Sequence, residues 1–540
     1  MTDTTAGDAR PAPVPAVGAK VGLGLYIGFG AMALGQFMAM LDIQIVASSL
    51  QQIQAGVSAS ADEISWIQTA YIIPEVVMIP LSAYLSRMWG TRLVFMLSCA
   101  GFVLASILTG LSTSIEMMIL TRAIQGFVGG AMIPTVMAVA FTAFPPEKRV
   151  TASMLIGMIV TLAPTIGPTL GGWITENLDW RWLFYVNVIP GAAVLALVWR
   201  FGDFDKGDAS LSKGFDWFGL GAMAIFLMSM TYVLEEGASE NWFTDDRIVI
   251  LSVVAVVTGV AFIWRCLAYF NPIVELRTFR NTNFLVGSAF TFVMGMNLFG
   301  ASFILPLFLG RVGGMSAGEI GTIMGVGGLS MFFAGPFIRR IVGFFDLRLV
   351  MVVGMAISAG GLWTAHALTP EWGFTEFAVL QIVRAFGLMS AMVASQQLSM
   401  ATLEPQYIKN ASGIVNLFRN VGGAVGLASI GTIINDGTLR HMADIRARMT
   451  ETDPNGQAML AGLVQRMSDM GVVDPEGAAR KALTFMTEKQ AMTIAFGEAF
   501  ALLAVVTFIT GFIALISQKP PQTAVSPASK AAAAAAAEAH

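Results

Sequence analysis

The sequence has few of the residues from which proteins build reactive or metal centres. Its 540 residues include 2 cysteines and 3 histidines. Cys99 and Cys266 lie in or beside apolar segments, where cysteine packs as a small hydrophobe, and neither a disulfide framework nor a metal-binding spacing is present. His366, His441 and His540 are isolated from one another, and no G-x-x-x-x-G-K-[ST] phosphate loop occurs. We therefore expect no enzyme, no metal, no cofactor and no use of ATP.

Charged residues are also scarce. They make up 12% of the chain and hydrophobic residues 55%, whereas ordinary globular proteins contain about 25% charged residues. A soluble surface cannot be built from this composition. The formal net charge of -4 is small and scattered, which excludes a nucleic acid as partner. The composition instead predicts a protein that lies in a lipid bilayer.

Fourteen apolar segments are long enough to cross a bilayer, which takes about 20 helical residues. Their predicted limits are 22–50, 62–87, 92–112, 115–143, 149–174, 183–201, 217–235, 248–267, 282–309, 316–337, 347–366, 375–400, 409–436 and 490–516. If the N-terminus is cytoplasmic, fourteen Lys and Arg residues fall at cytoplasmic helix ends and loops, against three in the opposite short loops. This asymmetry predicts an all-α membrane protein with cytoplasmic N- and C-termini.

An internal repeat divides the chain. Ser60-Ala61-Asp62-Glu63-Ile64 matches Ser316-Ala317-Gly318-Glu319-Ile320 at an offset of 256, which Pro80 and Pro336 keep. Arg122 and Arg384 correspond at an offset of 262, and we expect Arg384 to be structural. The predicted units are a cytoplasmic tail, a six-helix bundle, a linker with two inserted spans, a second six-helix bundle with a long external loop, and a low-complexity cytoplasmic tail. Their limits are 1–21, 22–201, 202–281, 282–516 with the loop at 437–489, and 517–540.

Five motifs follow one another along the chain in a diagnostic order. They are Leu41-Asp42-Ile43-Gln44-Ile45-Val46, Leu120-Thr121-Arg122-Ala123-Ile124-Gln125-Gly126 with Gly129 and Gly130, Ala163-Pro164-Thr165-Ile166-Gly167-Pro168-Thr169-Leu170-Gly171-Gly172, Trp180-Arg181-Trp182-Leu183-Phe184 with Asn187 and Pro190, and Asn271-Pro272-Ile273-Val274-Glu275-Leu276. This set resembles the major facilitator superfamily, in particular its fourteen-span drug:proton antiporter group of the EmrB/QacA type, and most of all the EmrB members. Two departures occur: Gln44 replaces a usual Thr, and the span 2–3 loop has Ala83 and Arg87 where the family has Gly and an acid.

The resemblance implies the major facilitator fold with a 6 + 2 + 6 arrangement of helices. It implies an exporter of small hydrophobic or amphipathic compounds in a bacterial inner membrane, driven by the proton gradient through alternating access. It further implies an EmrA-like periplasmic membrane-fusion adaptor and a TolC-like outer-membrane channel as partners. The alternatives are a transporter or flippase for one metabolite or lipid and, from another class, a non-transporting receptor or scaffold.

Ionisable residues inside spans are costly, so each is a functional candidate. Asp42 and Arg122 lie about 10–12 Å from the same membrane face at a rise of 1.5 Å per residue, and they can form a proton-sensitive pair or a static salt bridge. Glu75 lies near the middle of span 2, where a lone carboxylate is poorly solvated. We predict that it couples protons or binds cationic substrates, the alternative being a neutral, hydrogen-bonded carboxyl. Arg419 and Glu498 form a second predicted pair for proton coupling.

The remaining candidates concern shape. The predicted lining of an adaptable apolar cavity comprises Gln44, Phe37, Met40, Gln125, Met294, Met296 and Phe299, although packing against lipid or core is the alternative for each. The residues predicted to let helices approach or bend are Gly126, Gly129, Gly130, Pro164, Gly167, Pro168, Gly171 and Gly172. The amphipathic part of the external loop is predicted either to dock the adaptor or to cover the outer mouth.

Overall fold

The computed structural model describes residues 22–60, 63–64, 66–448 and 454–519, and the regular secondary structure of this part of the chain is entirely helical, without strands. The α-helices are α1 Leu23–Ser48, α2 Leu50–Val57, α3 Trp66–Trp89, α4 Thr91–Gly110, α5 Ile115–Gly129, α6 Met132–Thr142, α7 Pro146–Asn177, α8 Trp182–Tyr185, α9 Val188–Phe201, α10 Trp217–Glu236, α11 Asp246–Ala268, α12 Thr282–Arg311, α13 Ala317–Phe344, α14 Leu347–Thr364, α15 Phe374–Ala401, α16 Ile408–Arg448, α17 Pro454–Asp469 and α18 Pro475–Ile513. Short 3-10 helices cover Ala209–Ser212, Trp242–Thr244, Leu276–Arg280, Ala365–Ala367, Pro405–Tyr407 and Ala514–Ile516.

Thirteen helical stretches of the described residues are long and apolar enough to cross a membrane. Two of these stretches are broken helices, α5 with α6 and α8 with α9. Helix α7 bends by 41° between its Pro146–Pro164 and Ile166–Asn177 parts, and it makes a fourteenth span when the two parts are counted together. The bend falls at Pro164 and Pro168, where proline removes a backbone donor and clashes with the preceding turn. The predicted all-α architecture is therefore confirmed.

The internal repeat appears in the local structure. Ser316 caps α13 in a capping box: its backbone N and its Oγ both donate to Glu319 Oε2, at 2.8 Å each. In the first copy, Ser60 makes the same two contacts to Glu63 Oε2, at 2.9 and 2.7 Å. Each pair satisfies a backbone donor at the start of a helix, which accounts for the matching polar residues.

The two copies of the repeat, α1–α9 and α12–α18, are called here the first and second halves. They pack along two lines: α3 and α6 against α16, and α7 against α13 and α15. Helices α10 and α11 pair with each other, and α10 contacts both α3 and α16. Any group on α3 or α16 that points towards the other helix therefore lies between the halves.

Polar contacts join the halves at the face of the bundle where α1 begins and α18 ends, called here the terminal face. Lys409, at the start of α16, pairs with Asp205 and donates to the backbone oxygen of Ser86 in α3. Gln397 Nε2 in α15 donates to Ser153 Oγ in α7 at 2.9 Å. The described structure is thus closed at this face by hydrogen bonds and an ion pair.

The described residues of the region 437–489, predicted to be an external loop, are largely helical. Helix α16 continues to Arg448, α17 covers the amphipathic stretch, and α18 already begins at Pro475, capped by Asp474. Hydropathy reports where apolar residues stop, whereas a helix can continue beyond the membrane on polar residues. The tails 1–21 and 520–540 and the residues 449–453 lie outside the described part of the chain.

Candidate transport site

Asp42 and Arg122 form an ion pair inside the first half. The Asp42 Oδ2 to Arg122 Nη1 distance is 2.5 Å, and both side chains are fully buried. The Asp42 Oδ1 atom accepts hydrogen bonds from Gln125 Nε2 at 3.1 Å and from Asn187 Nδ2 at 2.8 Å. Asn187 also donates to Ser106 Oγ at 3.1 Å. The Asp42 carboxylate of α1 is thereby held by α5 and by Asn187 before α9, and Ser106 of α4 holds Asn187 in place.

Arg122 is fixed on its other sides as well. Its Nη1 donates to Gln125 Oε1 at 2.9 Å and its Nε to the backbone oxygen of Ile67 at 3.2 Å. The guanidinium carbon lies 4.3 Å from the centre of the Tyr71 ring, a cation–π distance. Its Nη2 atom is buried without a hydrogen-bond partner among the described residues, so these contacts offset most, but not all, of the cost of burying the pair.

Glycines allow the helices around this pair to approach closely. A Cβ atom at Gly126 would lie 2.0 Å from the backbone oxygen of Tyr71, and one at Gly130 would lie 2.8 Å from that of Glu75. A Cβ atom at Gly129 would lie 2.8 Å from the Phe102 ring of α4, whereas the other two contacts are with α3. These close approaches bring α5 against α3 and so place Arg122 beside its partners.

The glycines of α7 serve the contact with α1. A Cβ atom at Gly167 would lie 2.4 Å from Gln44 Cβ, and one at Gly171 would lie 2.5 Å from Ser48 Oγ. Gly172 has no such neighbour within 4 Å. Gln44 is therefore held at a helix contact between α1 and α7.

Glu75 lies in α3 at the interface between the halves and is 3% exposed. Its carboxylate forms no hydrogen bond and no ion pair within 4.0 Å among the described residues. Arg419 of α16 is the first of its electrostatic partners, followed by Arg122 and Asp42. Glu75 is thus the acid that links the Asp42–Arg122 pair of the first half to a cation of the second half.

The predicted pair of Arg419 with Glu498 does not form. Glu498 Oε1 lies 3.0 Å from His441 Nε2 and Glu498 Oε2 lies 3.8 Å from Arg440 Nη2. Both partners belong to the extended part of α16, about 30 Å along that helix from Arg419 at 1.5 Å per residue. The error came from the helix limits, since α16 continues past its predicted end and α18 begins before its predicted start.

Arg419 lines a cavity between the halves and is 5% exposed. Its Nε and Nη2 atoms are buried without a hydrogen-bond partner among the described residues. The cavity wall contains Met137, Thr291, Met294, Leu298, Leu388, Met392, Gln396, Val415 and Arg419. Met137 comes from the first half and the other residues from the second, so the cavity adjoins both.

A second cavity shares Leu298 with the first and is also lined from both halves. Its wall contains Pro164, Leu298, Ser302, Met324, Gly327, Gly328, Met331, Gln381 and Arg384. Pro164 contributes the bend of α7 to this wall. The two arginines, Arg384 and Arg419, therefore lie in the walls of two adjoining cavities.

Of the residues predicted to line an apolar cavity, Met294 alone appears in either of these two walls. Met296 and Phe299 instead contact Gly426 and Gly423 of α16. Gln125 belongs to the Asp42–Arg122 cluster. Phe37 and Met40 pack into the main hydrophobic core, which contains residues of both halves.

Sequence reasoning did not identify several residues of these sites. Asn187 belongs to one of the five motifs, but nothing in the sequence indicated that its side chain donates a hydrogen bond to Asp42. Met137 and Met392 were two among 33 methionines. Asn297, which binds Arg384, lies at nearly the repeat offset from Asp42, and that correspondence is the signal that could have found it.

A model of the Major Facilitator Superfamily matches residues 32–427. The chain belongs to this superfamily. The Colistin resistance protein EmrB of Acinetobacter baumannii is 38% identical over 491 residues, which cover 91% of this chain and 96% of the relative. The Multidrug export protein EmrB of Escherichia coli K12 is 30% identical over 434 residues, which cover 80% and 85%. The predicted family, with its EmrB-like relatives, is confirmed, and the family is one of transporters.

Two solved structures share the fold of this superfamily member. The human organic anion transporter TETRAN aligns with a TM-score of 0.54 at 12% identity, covering 89% of this chain and 99% of that one. A bacterial homologue of the human lysosomal transporter Spinster aligns with a TM-score of 0.51 at 15% identity, covering 93% and 100%. The fold and the many apolar helices make the chain a multi-pass membrane protein.

Proposed function

We propose that the protein exports small hydrophobic and amphipathic compounds, several drugs among them, in exchange for protons. The observation that carries the proposal is Glu75, a buried acid on α3, the helix that packs against the Arg419 helix α16 between the two halves. The EmrB relatives, which are named for multidrug export and colistin resistance, support it. The energy source is the proton gradient, and no cofactor is needed.

Glu75 exchanges the proton in this mechanism. When Glu75 is ionised, its charge attracts Arg419 and holds α3 against α16. Protonation removes that attraction and frees the arginine in the cavity wall, so that the halves can separate. A proton shifts the equilibrium between two orientations only if it binds them with different affinities, and a carboxylate at the interface between the halves meets that condition.

In this proposal the Asp42–Arg122 pair is a static salt bridge and not a proton-sensitive pair. Its carboxylate is already bound by Arg122, Gln125 and Asn187 inside one half. Rocking of one half against the other leaves those contacts unchanged. We assign the pair the function of holding the first half together as a rigid unit.

The cell context follows from the same relatives and the lysine and arginine pattern. The protein lies in a bacterial inner membrane with both termini in the cytoplasm, so that the terminal face is cytoplasmic. Helix α17 and the extended ends of α16 and α18 then lie in the periplasm. There they contact an EmrA-like adaptor, which leads to a TolC-like outer-membrane channel.

Transport in inverted membrane vesicles from a pump-deficient host tests the proposal. We expect uptake of a fluorescent amphipathic drug that stops when an ionophore collapses the pH gradient and that does not require ATP. Uptake that persists without the gradient would overturn proton exchange. Uptake of one metabolite or lipid with no drug uptake would favour the specific transporter instead. A susceptibility panel with and without the adaptor tests the partner.

A further inference from the structure

The second half contains an altered copy of the Asp42–Arg122 cluster. Arg384 Nη1 donates to Asn297 Oδ1 at 3.3 Å, as Arg122 donates to Asp42 in the first half. The Asn297 amide nitrogen contacts Ser358 Oγ at 3.2 Å and Thr507 Oγ1 at 3.1 Å. The helix order is the same in the two clusters: spans 1, 3, 4 and 6 in the first and spans 9, 11, 12 and 14 in the second. The chemical difference between the two clusters is that the amide of Asn297 replaces the carboxylate of Asp42.

This replacement leaves Arg384 without a counter-ion. The side chain is 5% exposed, and no carboxylate of the described residues lies within 4.0 Å of it. Its other hydrogen bonds, from Nε at 3.2 Å and Nη2 at 3.0 Å, both go to the neutral Gln381 Oε1. A guanidinium carries more N–H donors than the three used here, so Arg384 keeps both an uncompensated charge and free donors.

The free side of Arg384 borders a cavity. Arg384 and Gln381 lie in its wall together with Ser302 and the bend residue Pro164 of the opposite half. Apolar side chains, Leu298, Met324 and Met331, complete the wall. In the described conformation this cavity of about 20 Å³ has room for about one water molecule, so it admits an anion only when the halves move apart. Such an anion can then meet the guanidinium while its apolar part packs on Leu298, which also borders the Arg419 cavity.

We infer that Arg384 binds the carboxylate or similar single negative charge of an amphipathic substrate, with the apolar body of that substrate lying along Leu298. The planar guanidinium matches a carboxylate with two parallel hydrogen bonds. A substrate anion supplies here the charge that Asp42 supplies to Arg122 in the first half. The inference rests on the proposed export function and narrows its substrate class.

Two matched probes test the inference on the full chain in lipid nanodiscs. They are dansylaminoundecanoate and its uncharged carboxamide, titrated by fluorescence anisotropy. We expect Arg384→Gln to weaken binding of the carboxylate by about tenfold or more, as loss of a hydrogen bond to a charged group does. Binding of the carboxamide should stay within about twofold, because its apolar contacts remain. Arg339→Gln, which changes an exposed arginine of α13, should affect neither probe.

Asn297→Asp provides a second test that keeps the arginine. It places a carboxylate where the first half has Asp42, and this carboxylate should compete with the carboxylate probe and weaken its binding while sparing the carboxamide. Equal weakening of both probes, or unchanged carboxylate binding in either variant, would overturn the inference. Proton-coupled export of the cation ethidium is measured in parallel. If ethidium is exported but the Arg384 variant affects the two probes equally, this inference alone is rejected. If the wild type does not export ethidium, the proposed function is rejected.

Discussion

Glu75 of α3 and Arg419 of α16 are buried on two helices that pack against each other across the interface between the two halves. They are 3% and 5% exposed, and they interact electrostatically without an ion pair within 4.0 Å. Charges in such a place normally pair closely or become neutral, since burying an unpaired charge is costly. An acid and a base held apart between two moving units are suited to change their interaction when those units move.

The ion pair of Asp42 with Arg122 should be a strongly coupled unit. We expect Asp42→Asn and Arg122→Gln each to destabilise the first half by about 3–5 kcal/mol, because either change leaves a buried charge unpaired. The double variant should be less destabilised than the sum of the two. Thermal unfolding of the purified protein in detergent measures this coupling. Additive losses would contradict a coupled pair.

The close contact of α5 with α3 should depend on Gly126. Gly126→Ala places a Cβ atom 2.0 Å from the backbone oxygen of Tyr71 and forces the helices apart. We expect a loss of about 1–3 kcal/mol, seen as a lower Tm. Gly172→Ala is the matched control, because nothing lies within 4 Å of its Cβ position. A similar Tm for both variants would reject this packing.

The contacts of Lys409 should hold the terminal face closed. Lys409→Gln removes the ion pair to Asp205 and weakens the contact to Ser86, so the open state should become more populated. The measurement is the alkylation rate of Ser153→Cys in a variant without Cys99 and Cys266. We expect about a threefold to tenfold faster rate, which corresponds to roughly 1 kcal/mol. An unchanged rate would mean that this ion pair does not contribute to closure.

Glu498 should be dispensable for proton coupling. It binds Arg440 and His441 on the distal part of α16, and its side chain is 43% exposed. Exposed ion pairs contribute about 0–1 kcal/mol, so Glu498→Gln should leave the Tm and drug-driven proton movement close to the wild type. Loss of proton movement in this variant would restore the sequence-based assignment of Glu498.

The sequence predicted features that follow from the cost of burial. Fourteen apolar segments predicted the helices, and the common depth of Asp42 and Arg122 predicted their pairing. The partner of Arg419 was missed because apolar residues mark the membrane and not the ends of α16 and α18. Asn297 was missed because a neutral amide in a span is not marked as a functional candidate in the way that an ionisable residue is. Only its correspondence to Asp42 in the internal repeat identifies it as the partner of Arg384.

The central claim is that Glu75 carries the proton between the halves. Its most direct test is substrate-driven proton movement in proteoliposomes, followed with an enclosed pH-sensitive dye, for the wild type, Glu75→Gln and Glu498→Gln. The claim predicts that Glu75→Gln folds and binds the drug but abolishes drug-driven proton movement, while Glu498→Gln behaves as the wild type. Proton movement that survives in Glu75→Gln would contradict it.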